Sequence, residues 1–175
     1  MNLYPWQEKA WVELKRANVK KHHASLFIGP LGSGLEKLAN TFATSLICRN
    51  LTDTKKACGK CQDCQWILTE HPNLKVVNNE AEEGTSKNIS IESIRNLKKF
   101  FELSSHIIGG NKVILINNTE SLTLNAANAL LKILEEPPEN SYLILTTDNI
   151  SSLLPTIVSR CLIVSAPRPS REEAE

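Results

Sequence analysis

The sequence of 175 residues contains few aromatic side chains and no long apolar run. Only 5% of its residues are Phe, Trp or Tyr, so a core has to rest mainly on Leu, Ile, Val and Ala. No apolar stretch approaches the roughly 18 residues that span a bilayer, and the first residues lack the basic start and apolar segment of a signal peptide. A hydrophobic fraction of 41% excludes global disorder. We therefore expect one folded, cytoplasmic domain with no membrane partner.

The chain also lacks an excess of charge. Its 20 basic and 19 acidic side chains leave a net charge of +1, which gives no overall attraction to nucleic acid or to an anionic membrane. The basic residues are nevertheless concentrated in residues 1–60. This local excess is compatible with a surface that faces phosphate and equally with an ordinary solvated face.

Four of the five cysteines lie close together. Cys48 is followed by Cys58, Cys61 and Cys64, the last three spaced three residues apart. In a cytosolic chain this spacing favours a metal over disulfides, and four thiolates around Zn²⁺ leave no position for water. The sequence therefore predicts a structural zinc site in a cysteine module at about residues 48–70. The alternatives are a cluster of free thiols or a redox pair.

Two other residues could be confused with this site. His71 is a spare candidate ligand, although His71 and Pro72 are expected to begin a strand. Cys161 lies far from the other cysteines in the sequence and is expected to be a small packed residue.

The spacing of apolar residues predicts helices that alternate with strands. Such alternation, in units of about 30 residues, indicates a parallel sheet with helices on both faces. The stripe residues Phe42, Leu97, Leu130 and Leu131 should be buried, and residues 78–88 should form a loop. The predicted strands are 24–28, 75–77, 113–116, 142–146 and 162–164, and the predicted helices are 6–18, 35–46, 91–101, 127–134 and 149–161.

The first strand–turn–helix unit has the glycines of a phosphate-binding loop without its reactive residues. A P-loop reads Gly-x-x-x-x-Gly-Lys-Ser/Thr, whereas this chain has Leu35 in place of the lysine and Glu36 in place of the Mg²⁺-binding hydroxyl. Lys37 stands too late to replace that lysine. A turn that never bound phosphate is the other interpretation of the glycines. The glycines of this loop are Gly29, Gly32 and Gly34.

The third predicted strand ends in Asn117 and Asn118. An ATPase of this type needs a carboxylate at that point to organise Mg²⁺ and water. Together with the altered loop, these amides predict that ATP does not bind tightly and that no nucleotide cofactor is required.

Several longer segments resemble one family of replication proteins. Over nearly all of its 175 residues the chain is similar to the delta-prime family of bacterial DNA polymerase III clamp-loader subunits, which are AAA+ proteins. The family has His-Pro-Asp where this chain has His71-Pro72-Asn73. The segments that carry the resemblance, besides the four cysteines, are Tyr4-Pro5-Trp6, His22-His23-Ala24, the run 125–138 and Ser159-Arg160-Cys161.

This resemblance implies an AAA+ core over residues 1–170, with residues 171–175 starting a lid and collar region that is missing here. It also implies a stator that is not itself catalytic, within the DNA polymerase III holoenzyme, a DNA-directed DNA polymerase. The implied partners are the gamma/tau and delta subunits, with the sliding clamp and primed DNA reached through the complex.

Arg160 occupies the position that the family uses for an arginine finger, so the resemblance implies that it acts in trans on a neighbour's ATP. We expect it on the surface, at the end of helix 149–161, with nothing inside the domain depending on its charge. Its alternative role is to pair with a carboxylate of its own surface.

Two other functions compete with the stator. One is an ATP-hydrolysing motor of the gamma/tau type, against which the altered loop argues. The other is a zinc module that binds nucleic acid through Lys55, Lys56 and Lys60, with Trp66 as the one nearby aromatic for base stacking.

Overall fold

The computed structural model describes residues 3–16, 22–67, 70–79, 88–103, 110–171 and 173. Its strands are β1 (Ala24–Ile28), β2 (Leu74–Val77), β3 (Lys112–Ile116), β4 (Ser141–Thr147) and β5 (Leu162–Ser165). Its α-helices are α1 (Glu8–Arg16), α2 (Leu35–Ile47), α3 (Gln62–Trp66), α4 (Ile91–Glu102), α5 (Leu124–Glu135) and α6 (Pro155–Val158). Short 3₁₀ turns cover Pro5–Gln7, Thr119–Ser121 and Ile150–Ser152.

The five strands form one parallel sheet in the order β2-β3-β4-β1-β5. β1 therefore lies between β4 and β5, and Leu26 is opposite both Leu145 and Ile163. The carboxyl ends of all the strands share one edge, which is where ligands bind in open α/β sheets. The predicted parallel α/β sheet is confirmed, and the loop after β1 lies at this edge.

Helices cover both faces of the sheet. Phe27 packs with α1 and α2 on one face, while its neighbour Leu26 packs with α4, α5 and α6 on the other. Both cores are built mainly from Leu, Ile and Ala, and Phe42, Leu97 and Leu130 are buried as predicted. Leu131 is only half-buried, because it lies at the margin of its helix's apolar face and packs against the core from the side.

The first predicted helix is shorter than its apolar pattern suggested. A 3₁₀ turn precedes α1, and residues 17 and 18 lie outside the described residues. Residues 80–87 of the loop predicted at 78–88 lie outside them as well. The apolar pattern also did not predict that Trp11 is buried, with only 2% of its surface exposed. Its indole donates a hydrogen bond to the Thr54 carbonyl at 2.9 Å, which ties α1 to the cysteine module.

The prediction of one helix over residues 149–161 is wrong. The structure has a 3₁₀ turn and the one-turn helix α6, separated by Leu154 in an extended conformation (φ −61°, ψ 129°). The cause is Pro155, because a proline disfavours the helical conformation of the residue before it. Arg160 consequently lies in a turn beyond α6, just before β5.

None of the helices that the structure describes is both long and apolar enough to cross a membrane.

A buried lysine closes the end of α4. Lys112 is 6% exposed, and its Nζ donates to the carbonyls of Phe100, Phe101 and Leu103 in the last turn of that helix. Lys112→Met should keep the packing of the aliphatic stem but leave these carbonyls unpaired. We expect a loss of about 1–3 kcal/mol in the free energy of unfolding, measured by urea denaturation.

A matched control for Lys112→Met is Lys98→Met on the same helix, since Lys98 is exposed and forms only a 3.9 Å surface pair with Glu102. Its effect should stay within about 0.5 kcal/mol. Equal stability losses in the two variants would contradict the capping role of Lys112.

Candidate functional site

The four clustered cysteines come together in space. Cys48 directly follows α2, α3 begins just after Cys61 and carries Cys64, and the four sulfur atoms all lie within 4.8 Å of one another. Three Sγ–Sγ distances are 3.7, 3.8 and 4.0 Å. Tetrahedral Zn²⁺ with bonds of about 2.3 Å requires sulfur separations of about 3.8 Å. The cluster could therefore hold a metal ion, and its dimensions fit zinc.

The surroundings of the cysteines suit thiolates as well as thiols. Backbone N–H groups of Lys60 and Cys61 donate to Cys58 Sγ at 3.4 and 3.3 Å and lower the pKa of that thiol to about 6. Burial instead raises the pKa of Cys48 and of Cys64. These opposite shifts favour the thiolate at Cys58 and the thiol at Cys48 and Cys64, and a bound cation would favour the thiolate at each cysteine that it contacts.

An ion pair with one buried partner lies inside the cysteine module, where Asp63 is covered and the Arg49 side chain is 56% exposed. Asp63 is 1% exposed, and it accepts hydrogen bonds from Arg49 Nε at 2.8 Å and Nη2 at 3.3 Å. His71 Nε2 lies 3.6 Å from the same carboxylate, while His71 Nδ1 accepts from the Asn73 N–H at 3.0 Å. Burial lowers the pKa of His71. The imidazole therefore packs as a neutral group with its Nε2 proton toward Asp63.

His71 has neither of the two roles that the sequence suggested. It lies outside the cluster of four sulfur atoms. Residues 71–73 form a turn, and the strand starts only at Leu74, because the Leu74 N–H bonds back to the His71 carbonyl. Cys161 is a packed residue as expected, and burial raises its pKa to about 12.

The glycine loop after β1 has the position of a phosphate-binding loop. Gly32 and Gly34 have φ values of 84° and 72°, and Gly34 directly precedes α2. A Cβ on Gly34 would lie 2.7 Å from the Tyr4 ring. Both the positive φ and this close contact therefore favour glycine at position 34. Leu35 packs against the core and Glu36 is exposed. Because one side chain is apolar and the other is acidic, neither offers a positive charge to phosphate.

The N-terminal segment occupies the approach to this loop. Trp6 Nε1 and Gln7 Nε2 donate to the Ser33 carbonyl at 2.9 Å each, and Gln7 also donates to the Gly34 carbonyl at 2.7 Å. The Tyr4 and Trp6 rings are stacked 4.5 Å apart, and Lys37 Nζ lies 3.7 Å from the centre of the Tyr4 ring. Lys37 is therefore engaged with an aromatic face rather than with the loop.

Neutral amides occupy the carboxyl ends of β2 and β3. Asn117 Nδ2 donates to Asn78 Oδ1 at 2.8 Å, and Asn118 Nδ2 donates to Asn79 Oδ1 at 2.9 Å. Thr146 at the end of β4 donates to Asn117 Oδ1 at 3.3 Å. We call these four residues, Asn78, Asn79, Asn117 and Asn118, the amide ladder. The ladder lies at the edge of the sheet at which an ATPase carries a carboxylate.

Arg160 is exposed, as expected, but it is not without a partner. Its Nη2 donates to Glu135 Oε1 at 2.7 Å and its Nη1 donates to the Thr156 carbonyl at 2.9 Å. Arg160 thus pairs with a carboxylate of its own surface, which is the alternative that the sequence left open, and the expectation that the fold does not depend on its charge stays a prediction. Half of the Glu135 side chain remains exposed, so the pair lies on the surface.

The lysines of the cysteine module do not form a common basic surface. Lys56 Nζ pairs with Glu8 at 2.5 Å and its side chain is largely covered, while Lys55 and Lys60 are exposed. The structure thus gives no support to a nucleic-acid-binding module built on these three residues.

The five-stranded parallel sheet and the loop after β1 define a P-loop-type α/β domain. A DNA polymerase III gamma subunit-related protein of Thermotoga maritima has a TM-score of 0.61 at 23% identity, covering 93% of this chain and 47% of that one. The RuvB Holliday junction branch migration motor of the same organism has a TM-score of 0.58 at 13% identity, covering 99% and 48%. At these identities the likeness establishes the fold alone.

Sequence comparison identifies the family. The family model described as DNA polymerase III, delta subunit, matches residues 6–170. Relatives named DNA polymerase III subunit delta' are 38% identical in Pseudomonas aeruginosa, 34% in Haemophilus influenzae and 32% in Escherichia coli, over 96%, 98% and 98% of this chain. The chain belongs to the delta' family of DNA polymerase III, whose members are clamp-loader components. It spans about half the length of these relatives, 50% to 51%.

Sequence reasoning missed the side chains that support the sites. Arg49 directly follows Cys48 and Asp63 directly precedes Cys64, so each could be noted as a charged neighbour of the cysteine cluster, but the sequence gives no sign that the two pair with each other. Glu135 stands two residues before Pro137, just after a predicted helix, and nothing in its local sequence points to Arg160.

Proposed function

We propose that this chain is the AAA+ core of a clamp-loader stator. In this role it hydrolyses no ATP itself. It forms a complex with gamma/tau and delta subunits that loads the sliding clamp onto primed DNA, and it supplies Arg160 to the ATP site of a neighbouring subunit. The observation that carries the proposal is the exposed Arg160 on a domain of the delta' family whose own phosphate loop lacks Lys and Ser/Thr. Leu35, Glu36 and the amide ladder argue against the motor of the gamma/tau type.

The structure supports Arg160 as a finger through its position and its chemistry. The side chain lies beyond α6 at the surface, where a neighbouring subunit can approach it. The planar guanidinium can contact two phosphate oxygens at once, which a lysine cannot do. The positive charge offsets the charge that spreads over the transferring phosphoryl group.

The proposal also assigns the cysteine cluster and the domain limits. Cys48, Cys58, Cys61 and Cys64 would hold one structural Zn²⁺ in a closed tetrahedron, and the ion would cross-link the end of α2 to α3. Residues 1–170 would form the core with this module inserted, and residues 171–175 would lead into a lid and collar region.

Reconstitution tests the proposed function. The complete subunit, as its gene encodes it, would be assembled with gamma or tau and delta subunits, and clamp loading and DNA-dependent ATP hydrolysis would be measured. We expect both activities to require this subunit. A complex that loads clamps at the full rate without it would contradict the proposal.

ATP binding by the chain alone should be weaker than micromolar, and hydrolysis should be absent. The loop offers no lysine for the phosphates, Glu36 would repel a triphosphate, and Lys37 is engaged with the Tyr4 ring. Isothermal titration calorimetry with Mg-ATP measures this directly. Micromolar affinity that disappears on changing Gly34→Ala would overturn the prediction, because it would show a working phosphate loop.

A further inference from the structure

Two contacts fix the guanidinium of Arg160 on the surface of the domain. Thr156, one helical turn earlier, accepts from Nη1 at 2.9 Å, and Glu135 accepts from Nη2 at 2.7 Å. Glu135 lies 25 residues away in the sequence, at the end of a different helix. The orientation of Arg160 is therefore set by α5 and α6 together.

The place of Glu135 is unfavourable for its own helix. It is the last residue of α5, where the negative end of the helix dipole repels a carboxylate. Half of its side chain is exposed, so hydrophobic packing does not account for the residue. Arg160 supplies a positive charge that offsets this repulsion through its 2.7 Å ion pair with Glu135.

We propose that Glu135 is the positioning residue of Arg160, holding its guanidinium in the orientation from which it reaches the neighbouring subunit's nucleotide. This inference rests on the proposed finger role. An arginine side chain loses considerable rotamer freedom when it is fixed at an interface, and prior contacts reduce that loss. Because Glu135 and Thr156 engage one N–H on each terminal nitrogen, the other N–H groups of the fork remain as donors for phosphate oxygens.

The test compares Glu135→Ala, Glu135→Gln and the control Glu136→Ala in the complete subunit, assembled with its gamma or tau and delta partners. Hydrolysis is measured at the site next to Arg160, with kcat and KM determined separately. Glu135→Ala should lower kcat about tenfold, because a misplaced catalytic group costs up to about 10²-fold. Glu135→Gln should retain most of the activity, since its amide oxygen still accepts from Nη2. Glu136→Ala, which changes an exposed carboxylate one residue away, should have wild-type kcat.

A double-mutant cycle distinguishes positioning from a general structural effect. If Glu135 acts through Arg160, the variant with both alanines should be no slower than Arg160→Ala alone. Losses that multiply would show a separate route and overturn the inference. Wild-type or raised kcat in Glu135→Ala, or a defect in assembly instead of kcat, would also overturn it while leaving the finger role intact. Wild-type turnover in Arg160→Ala would instead remove the proposed function itself.

Discussion

Arg160→Ala is expected to lower ATP turnover at the adjacent site of the assembled clamp loader by about 10³-fold or more. The reason is that the guanidinium would no longer offset the charge on the transferring phosphoryl group. Total ATPase would fall only in part, because a clamp loader has other ATP sites. Single-turnover hydrolysis should therefore be followed in complexes whose other sites have been inactivated by mutation.

Two further variants make this result specific. Arg160→Lys keeps the charge but loses the planar fork, so its rate should lie between wild type and Arg160→Ala. Arg168→Ala changes another exposed arginine and should leave the rate unchanged. In the isolated chain Arg160→Ala should cost no more than about 1 kcal/mol of stability, because its ion pair with Glu135 is exposed. Wild-type turnover at the adjacent site would leave Arg160 as an ordinary surface residue.

Removal of bound zinc should unfold the cysteine module and leave the parallel sheet folded. Metal analysis of the purified protein should return about one zinc per chain, and chelation under reducing conditions should release it. Structural zinc sites in small peptides contribute roughly 10–16 kcal/mol, far more than the contacts inside so small a module can replace. The sheet should survive because its two cores lie on β1, β3 and β4 and on the helices that cover them.

Hydrogen exchange can locate this unfolding along the chain. Amides of α3 should lose protection when zinc is removed, whereas amides of β3 and β4 should keep it. Cys61→Ser should lose the metal, while the control Cys161→Ser, outside the cluster, should retain it. A metal-free protein whose module stays well protected would contradict the structural role of zinc.

The apolar pattern was sufficient to predict the sheet and most of its helices. Runs such as Val113–Ile116 are apolar on every residue, and this is characteristic of strands buried on both faces of a parallel sheet. The cysteine cluster was equally accessible, because three of its cysteines are spaced three residues apart and the fourth follows a predicted helix.

Features that depend on contacts between distant residues were not accessible from the sequence. The ion pairs of Asp63 with Arg49 and of Glu135 with Arg160 join segments 14 and 25 residues apart, and no local spacing predicts them. The helix predicted at 149–161 failed for a local reason instead. Its apolar residues have helical spacing, but Pro155 imposes an extended conformation on Leu154.

The amide ladder at the ends of β2 and β3 has a consequence for how the domain responds to its surroundings. Asparagine side chains do not titrate, so the hydrogen bonds between Asn117 and Asn78 and between Asn118 and Asn79 stay the same across the pH range in which carboxylates and histidines change charge. Amides also attract magnesium less than carboxylates do, since they carry no negative charge. This edge of the sheet thus keeps one set of contacts whether protons or magnesium ions are scarce or abundant around it.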